Sequence, residues 1–187
     1  MELVIALLVG IGLAAAAGLR VFLPLFGLAL GSWLDYLPVH ADMTWLASPE
    51  AVLALGVATA VEIGGYYFPL VDHLLDTVAA PGAVVAGTLM SASLLTGMDH
   101  PLLQWSLALI AGGGTAGLVQ AGSMLARATS TATTAGLGNP VVATGEWMGS
   151  LALTLLAFVA PVLILLVLVL ALAWWWRRRN GRNMASG

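Results

Sequence analysis

The chain contains no cysteine and very little charge. Without cysteine it forms no disulfide and no thiolate metal site. Only 8% of its 187 residues are charged and 60% are hydrophobic, whereas soluble proteins carry about 25% charged residues. Because so few charges do not cover the surface of a soluble domain of this length, the composition excludes that class. It predicts an all-α integral membrane protein.

Apolar segments recur along the whole sequence. A run of about 20 apolar residues spans the hydrocarbon core of a bilayer. We therefore expect about six transmembrane segments in a single bundle over residues 1–176, followed by a short basic tail at 177–187. The segments fall at about 3–30, 51–68, 82–97, 102–126, 140–159 and 161–176.

The first apolar segment is too long for one straight crossing. About 28 residues at about 1.5 Å each give roughly 42 Å. Gly18, Arg20 and Pro24 interrupt it, so we expect a broken or re-entrant helix. Backbone groups freed by such a break are tolerated where they face protein or water instead of lipid.

The basic residues predict the orientation of the chain. The stretch "RRRNGR" holds four of the six basic residues. Because basic residues favour the cytoplasmic side, we expect a protein of the inner (plasma) membrane whose C-terminus is cytoplasmic. The 32–50 loop has acids and no Lys or Arg, as expected outside. Six crossings satisfy both features if "FVAPV" at Pro161 is a hairpin and Arg127 lies on an inner loop. A single kinked helix after residue 140 would instead place the C-terminal arginines on the outer side of the membrane.

Two repeated patterns bear on packing. "GIGLAAAAGLR" (10–20) and "GLVQAGSMLAR" (117–127) are similar and would belong to oppositely oriented halves, as in 3+3 inverted-repeat transport proteins. Chance similarity between Gly/Ala-rich helices is the alternative. Small-residue patterns let helix backbones approach, within the chain or between copies in a homo-oligomer. They are Gly27-x-x-x-Gly31, Gly113-x-x-x-Gly117 and Gly145-x-x-x-Gly149.

Glu62 lies about twelve residues into an apolar segment. An ionised carboxylate facing lipid at that depth costs several kcal/mol. Glu62 must therefore face the bundle, carry a proton or pair with a cation. Arg20, at the break of the first segment, is the expected partner, and the pair either belongs to a functional centre or only fixes packing.

Three polar residues follow Pro69 in a stretch that reads as a short separate helix. Asp72 and Asp76 share a face at i, i+4, and His73 adjoins them. Two carboxylates and an imidazole suit a divalent cation, and a proton or an Arg would also separate the charges. A solvated amphipathic helix at the inner interface is the alternative. No other cofactor is expected.

The stretch after Arg127, "ATSTATTAGLGNP", is rich in Gly and hydroxyl groups and suggests a loop. Asn139 and Pro140 then suit the N-cap and first turn of a helix that carries Glu146. Such a start offers N–H groups to an anion or a lipid headgroup. We see no nucleophile–base set or nucleotide motif, so an enzyme is not expected. The basic tail is too short to bind nucleic acid.

These residues also carry a family resemblance. "GLRVFLP" (18–24), "SP" (48–49), "EIGGYYFPLVDHLLD" (62–76) and "PGA" (81–83) resemble the motifs of a bacterial membrane family named domain of unknown function 4126. The chain departs from it at Tyr66-Tyr67, where the family usually has Asp-Lys, and at Glu146-Trp147, where it has an acidic pair. The resemblance implies a fold and shared polar positions, and no established activity.

We therefore predict a small transporter or channel whose polar centre carries an ion or small polar solute. The alternatives are a structural or accessory membrane protein with packing ion pairs, and a protein that binds lipid headgroups. We expect Arg20 to balance Glu62 and Arg127 to balance Glu146, one pair in each half. The predicted pathway residues are Arg20, Glu62, Asp72, Asp76, Arg127, Asn139 and Glu146.

Overall fold

The fold was analysed from a computed structural model, which describes residues 3–67 and 69–159, excluding the side chains of 69–76. All regular structure in this part is helical, as predicted. A 3₁₀ helix, Ala41–Ala47, leads into α3. The main helices are α1 (Leu3–Ala17), α2 (Phe22–Trp33), α3 (Pro49–Gly65), α4 (Pro69–Leu94), α5 (Pro101–Thr134) and α6 (Asn139–Val159).

Three helices in the described part are long and apolar enough to cross a membrane. They are Thr77–Leu94 within α4, together with α5 and α6. The 3₁₀ helix and α3 qualify as a fourth span if they are counted together across their 63° bend. Pro161 and the segment 161–176 lie outside the described residues, and so does the basic tail at 177–187.

The break in the first apolar segment is confirmed. The segment divides into two short apolar helices, α1 and α2, separated by residues 18–21. Pro24 falls inside the first turn of α2 and does not interrupt it, because a helix needs no N–H donor from that turn. The break is therefore made at Gly18 and Arg20.

The boundary expected before residue 82 is wrong. Residues 69–94 form one helix, α4, that runs through Pro81 without a break. Proline removes one backbone donor, and membrane helices tolerate this loss where neighbouring groups compensate. The residues expected in a separate short helix thus begin a longer one.

The predicted loop after Arg127 is also wrong. Helix α5 continues to Thr134 and contains Arg127, which is buried. Three of the hydroxyl groups in this stretch, on Thr129, Thr133 and Thr134, donate to carbonyl oxygens one turn earlier. These bonds are compatible with a helix, so the composition of the stretch was misleading.

Helix α5 contains a π-helical segment over Ala108–Gly113. Its glycines lie directly against α4: a Cβ on Gly112 would stand 2.3 Å from the Gly87 carbonyl oxygen, and one on Gly113 would stand 2.5 Å from Thr88 Oγ1. On α2, a Cβ on Gly27 would stand 2.7 Å from Thr154 Cγ2 of α6. These glycines therefore support helix packing within the chain, and a Cβ on Gly145 would meet nothing within 4 Å.

The end of α5 offers a stability test. Ala135 has a left-handed backbone with φ of 51°, which glycine adopts more easily. We expect Ala135→Gly to raise the free energy of unfolding by about 1 kcal/mol. Ala128→Gly, at an exposed site inside the helix, should lower it by about as much. Thermal unfolding in detergent measures both, and a lower melting temperature for Ala135→Gly would contradict the strain argument.

Candidate polar centre

Helix α2 begins without a capping residue of its own. Its N-cap is Val21, whose side chain offers no acceptor. Glu62 of α3 takes that role from a distance: Val21 N–H donates to its Oε1 at 2.8 Å and Phe22 N–H to its Oε2 at 3.0 Å. A carboxylate at this end also meets the positive pole of the helix dipole. Glu62 thus stabilises the broken helix, and it is only 4% exposed.

Glu146 of α6 is the centre of a buried ion-pair cluster. Arg20 Nη2 lies 2.9 Å from its Oε2. Arg127 binds it through two nitrogens, Nε to Oε1 at 3.0 Å and Nη2 to Oε2. Ser123 Oγ donates to Oε1 as well. One carboxylate therefore joins the break before α2 to helices α5 and α6.

Tyr66 completes the cluster from the end of α3. The Arg20 guanidinium carbon lies 3.5 Å from the centre of its ring, and that of Arg127 lies 4.4 Å away. Cations are attracted to the face of an aromatic ring, most strongly when water is excluded. The ring is buried, so it stabilises both arginines without adding a charge.

Arg20 is not fully bonded in spite of its burial. It is 2% exposed, and its Nη2 donates to Glu146 and to the Ala143 carbonyl oxygen at 3.1 Å. Its Nε and Nη1 donate to no acceptor in the described part of the chain. Buried N–H groups without an acceptor are uncommon, because they lose the hydrogen bonds of water.

The structure brings together four of the seven predicted pathway residues: Arg20, Glu62, Arg127 and Glu146. The expected pair of Arg127 with Glu146 is confirmed, but the expected pair of Arg20 with Glu62 is wrong. Arg20 forms its ion pair with Glu146, and Glu62 binds backbone N–H groups. The free N–H groups at an uncapped helix start bind the two oxygens of a carboxylate. The sequence alone did not show that α3 would bring Glu62 to the start of α2.

Asn139 lies apart from the cluster. Its Nδ2 donates to Thr131 Oγ1 at 3.1 Å, linking the start of α6 to the end of α5. The capping prediction is wrong, since Val142 N–H bonds the Gly138 carbonyl oxygen, which makes Gly138 the first residue to accept a helix bond. Seven residues separate Asn139 from Glu146, or about 10 Å of helix.

The proposed metal ligands, Asp72, His73 and Asp76, have side chains outside the described set. Among the residues that are described, no group of three His, Asp or Glu side chains suits a metal ion. The metal site and the pathway roles of Asp72 and Asp76 remain predictions.

Sequence reasoning missed two residues of the cluster. Tyr66 was noted only as a departure from the family motif, and Ser123 was not singled out. Ser123 lies one turn before Arg127, on the same face of α5, and Tyr66 lies one turn after Glu62. That helical spacing was the available signal.

An apolar groove of about 490 Å³ runs between α2 and α6. Its lining includes Leu23 and Leu151, which are close in sequence to Arg20 and Glu146 of the cluster. It extends to Tyr36, beyond the end of α2. Thr154 contributes the one polar side chain in the middle of it. Glu62 and Glu146 are not part of its lining.

Comparison with known proteins places the sequence in a family. The profile of a family described as Domain of unknown function (DUF4126) matches residues 7–179. No curated protein and no solved structure matches the chain. The match covers nearly the whole chain, including all residues of the polar centre, so the protein is a member of the DUF4126 family.

Proposed function

We propose that the protein is a small membrane transporter or channel that moves an ion or a small polar solute through the centre formed by Arg20, Glu62, Arg127 and Glu146. One observation carries the proposal: a buried charge cluster lies at the break between the two short apolar helices α1 and α2. Transporters bind their substrates at such broken helices, whose free ends present backbone dipoles to the substrate. Buried charges in membrane helices are costly and mark pathways more often than packing.

The wider arrangement belongs to the same proposal. We infer six crossings in the inner membrane with the C-terminus in the cytoplasm, and the hairpin at Pro161 is required for this orientation. The arginines that end the two similar stretches, Arg20 and Arg127, meet at one carboxylate. This meeting supports an inverted repeat of three plus three segments. No catalytic role is proposed.

A lipid-binding role is the second candidate, and the apolar groove between α2 and α6 favours it. The groove is long and almost wholly apolar, as an acyl chain requires. Phe158→Trp, at the wall of the groove, would then reduce co-purified lipid without changing ion flux.

Ion flux into proteoliposomes tests the transport proposal. Arg127→Lys keeps the positive charge but loses the two-point contact with Glu146. We expect at least a tenfold change in flux, because the carboxylate is held by a different set of donors. Dyes for protons, divalent cations and chloride are read in parallel. Glu50→Gln, at an exposed acid in the first turn of α3, is the matched control.

The flux assay has a clear contrary outcome. Wild-type protein that is folded and inserted but passes no ion or solute would contradict transport. A wild type with flux that Arg127→Lys leaves unchanged would show that the pathway avoids the cluster.

A further inference from the structure

We infer that Tyr66 and Tyr67, at the end of α3, form a gate over the polar centre, and that hydrogen bonds between Tyr67 and α6 hold this gate closed. The inference rests on the proposed transport function, because a gate controls how an ion or polar solute reaches the buried charges. It also names the movement: when Tyr67 leaves α6, the ring of Tyr66 uncovers the two arginines.

The ion-pair cluster is closed to water in this structure. Arg20 is 2% exposed, and Arg127 and Glu146 are each 6% exposed. A solute that binds these charges must reach them from water, so transport requires that part of the surrounding protein moves. Among the described side chains, Tyr66 contacts both guanidinium groups, with its ring centre 3.5 Å and 4.4 Å from their carbon atoms. Its displacement would uncover both positive charges together.

Tyr67 attaches the end of α3 to α6. Its hydroxyl group lies 3.0 Å from Thr144 Oγ1 and accepts the indole N–H of Trp147 at 3.3 Å. Both partners lie within two residues of Glu146 in the same helix. The two hydrogen bonds are therefore made beside the cluster, and they hold the preceding residue, Tyr66, against it.

These hydrogen bonds are made where water competes for them. Tyr67 is 46% exposed, and its partners Thr144 and Trp147 are partly exposed. Water replaces such a bond readily, because its net contribution is much smaller than its strength in isolation. Freeing Glu146 would instead break contacts with two arginines and Ser123 in the buried cluster. The contact made by Tyr67 thus opens at lower cost than the ion pairs.

Two glycines precede the tyrosines in the last turn of α3. A Cβ on Gly64 would meet nothing within 4 Å, so close packing does not require a glycine at this position. Glycine weakens a helix relative to alanine, and the Tyr66 N–H reaches the Glu62 carbonyl oxygen at a long 3.4 Å. This turn is therefore weakly held. The side chain of Glu62, one turn earlier, is bonded to the start of α2 and marks where the movement ends.

Cysteine labelling measures the opening of the gate without any assay of flux. The chain has no cysteine, so a single introduced thiol is the only one that reacts. Ser123→Cys places a thiol beside Glu146 in the buried cluster. Ala143→Cys, buried on α6 next to Arg20, is the second probe if Ser123→Cys does not fold. The protein is held in lipid nanodiscs, where water reaches both faces of the bilayer, and the reagent is a charged methanethiosulfonate.

Two gate variants should change the labelling rate in opposite directions. Tyr67→Phe keeps the ring and loses the hydroxyl group, so labelling of Ser123→Cys should become roughly tenfold faster, the factor expected from one to two lost hydrogen bonds. Gly64→Ala strengthens the last turn of α3 at a site with room for the methyl group, and it should slow labelling about fivefold. Tyr36→Phe, at a tyrosine that is 79% exposed, is the matched control and should leave the rate unchanged.

Two further probes separate gating from a general loosening of the fold. Ser93→Cys, at a fully buried site near the other end of α4, should label slowly in every variant. Ala132→Cys, at an exposed site near the end of α5, should label rapidly in every variant. If Tyr67→Phe accelerates labelling at residue 93 as much as at residue 123, its hydroxyl group only supports the fold and the gate is wrong. The gate is also wrong if Tyr67→Phe accelerates labelling at neither site.

Flux measurements separate this inference from the proposed function. Labelling that responds to both gate variants, in a protein that passes no ion or solute, upholds the gate and contradicts transport. Flux that Arg127→Lys changes, with labelling that Tyr67→Phe leaves unchanged, upholds transport and overturns the gate. Faster labelling together with faster flux in Tyr67→Phe supports both.

Discussion

Replacing Glu146 by leucine is expected to lower the free energy of unfolding by about 3–5 kcal/mol, enough to prevent much of the protein from folding. The substitution leaves the Arg20 and Arg127 guanidiniums buried together without their shared carboxylate. Two like charges at this distance repel, and the surrounding protein offers little solvation. Expression level, chemical unfolding and melting temperature in detergent measure the loss.

A triple variant separates the effect of charge from that of shape. Arg20→Met, Arg127→Met and Glu146→Leu together remove the three described charges of the ion-pair cluster and fill a similar volume. Apolar replacements of buried ion pairs are often neutral or stabilising, so the triple variant should recover most of the stability lost in Glu146→Leu. Glu50→Leu, at an exposed acid, should change little. If Glu146→Leu were as stable as the wild type, the arginines would have to pair with another acid. That result would contradict the central role of Glu146 in the cluster.

Gly112→Ala is expected to destabilise the protein by about 3 kcal/mol, the upper part of the range for overpacked cores. The new methyl group would stand 2.3 Å from the Gly87 carbonyl oxygen and 2.1 Å from Ser91 Oγ. A serine side chain can rotate, but the backbone of α4 can only move with its helix. The packing between α4 and the π-helical segment of α5 must therefore open.

Gly122→Ala is the matched control for this variant because it lies on the same helix. A Cβ there meets nothing within 4 Å, so alanine should stabilise the helix by up to about 1 kcal/mol. The two glycine variants thus differ in sign. Equal melting temperatures for Gly112→Ala and the wild type would show that α4 and α5 do not pack so closely.

The sequence predicted the class of fold and the break at Gly18 and Arg20 because both depend on composition and local backbone chemistry. It also identified Arg20, Glu62, Arg127 and Glu146, since ionised groups in apolar segments must have partners. It predicted the pair of Arg127 with Glu146, but it did not predict that Arg20 pairs with Glu146 instead of Glu62. That choice depends on the uncapped start of α2, whose need for an acceptor appears only when α3 lies beside it.

Two further errors have local physical causes. The Thr-rich end of α5 has the composition of a loop, yet the hydroxyl groups of Thr129, Thr133 and Thr134 each donate to a carbonyl oxygen one turn back. The stretch after Pro69 was expected to form a short separate helix, yet it begins helix α4, which runs through Pro81. In both places the helix continues through residues whose local preference disfavours it.

The π-helical segment sets the rotational phase of Arg127. Buried positions on α5 run from Gln104 through Ala108, Gly112, Ala116, Gln120 and Ser123 to Arg127. In an unbroken α-helix, 23 residues would place Gln104 and Arg127 about 140° apart around the axis. The π-helical turn accommodates one additional residue, which reduces this angle by about 100°. Gln104 and Arg127 therefore lie on the same side of the helix. The number of residues in this wider turn thus determines whether Arg127 points at Glu146 or into lipid.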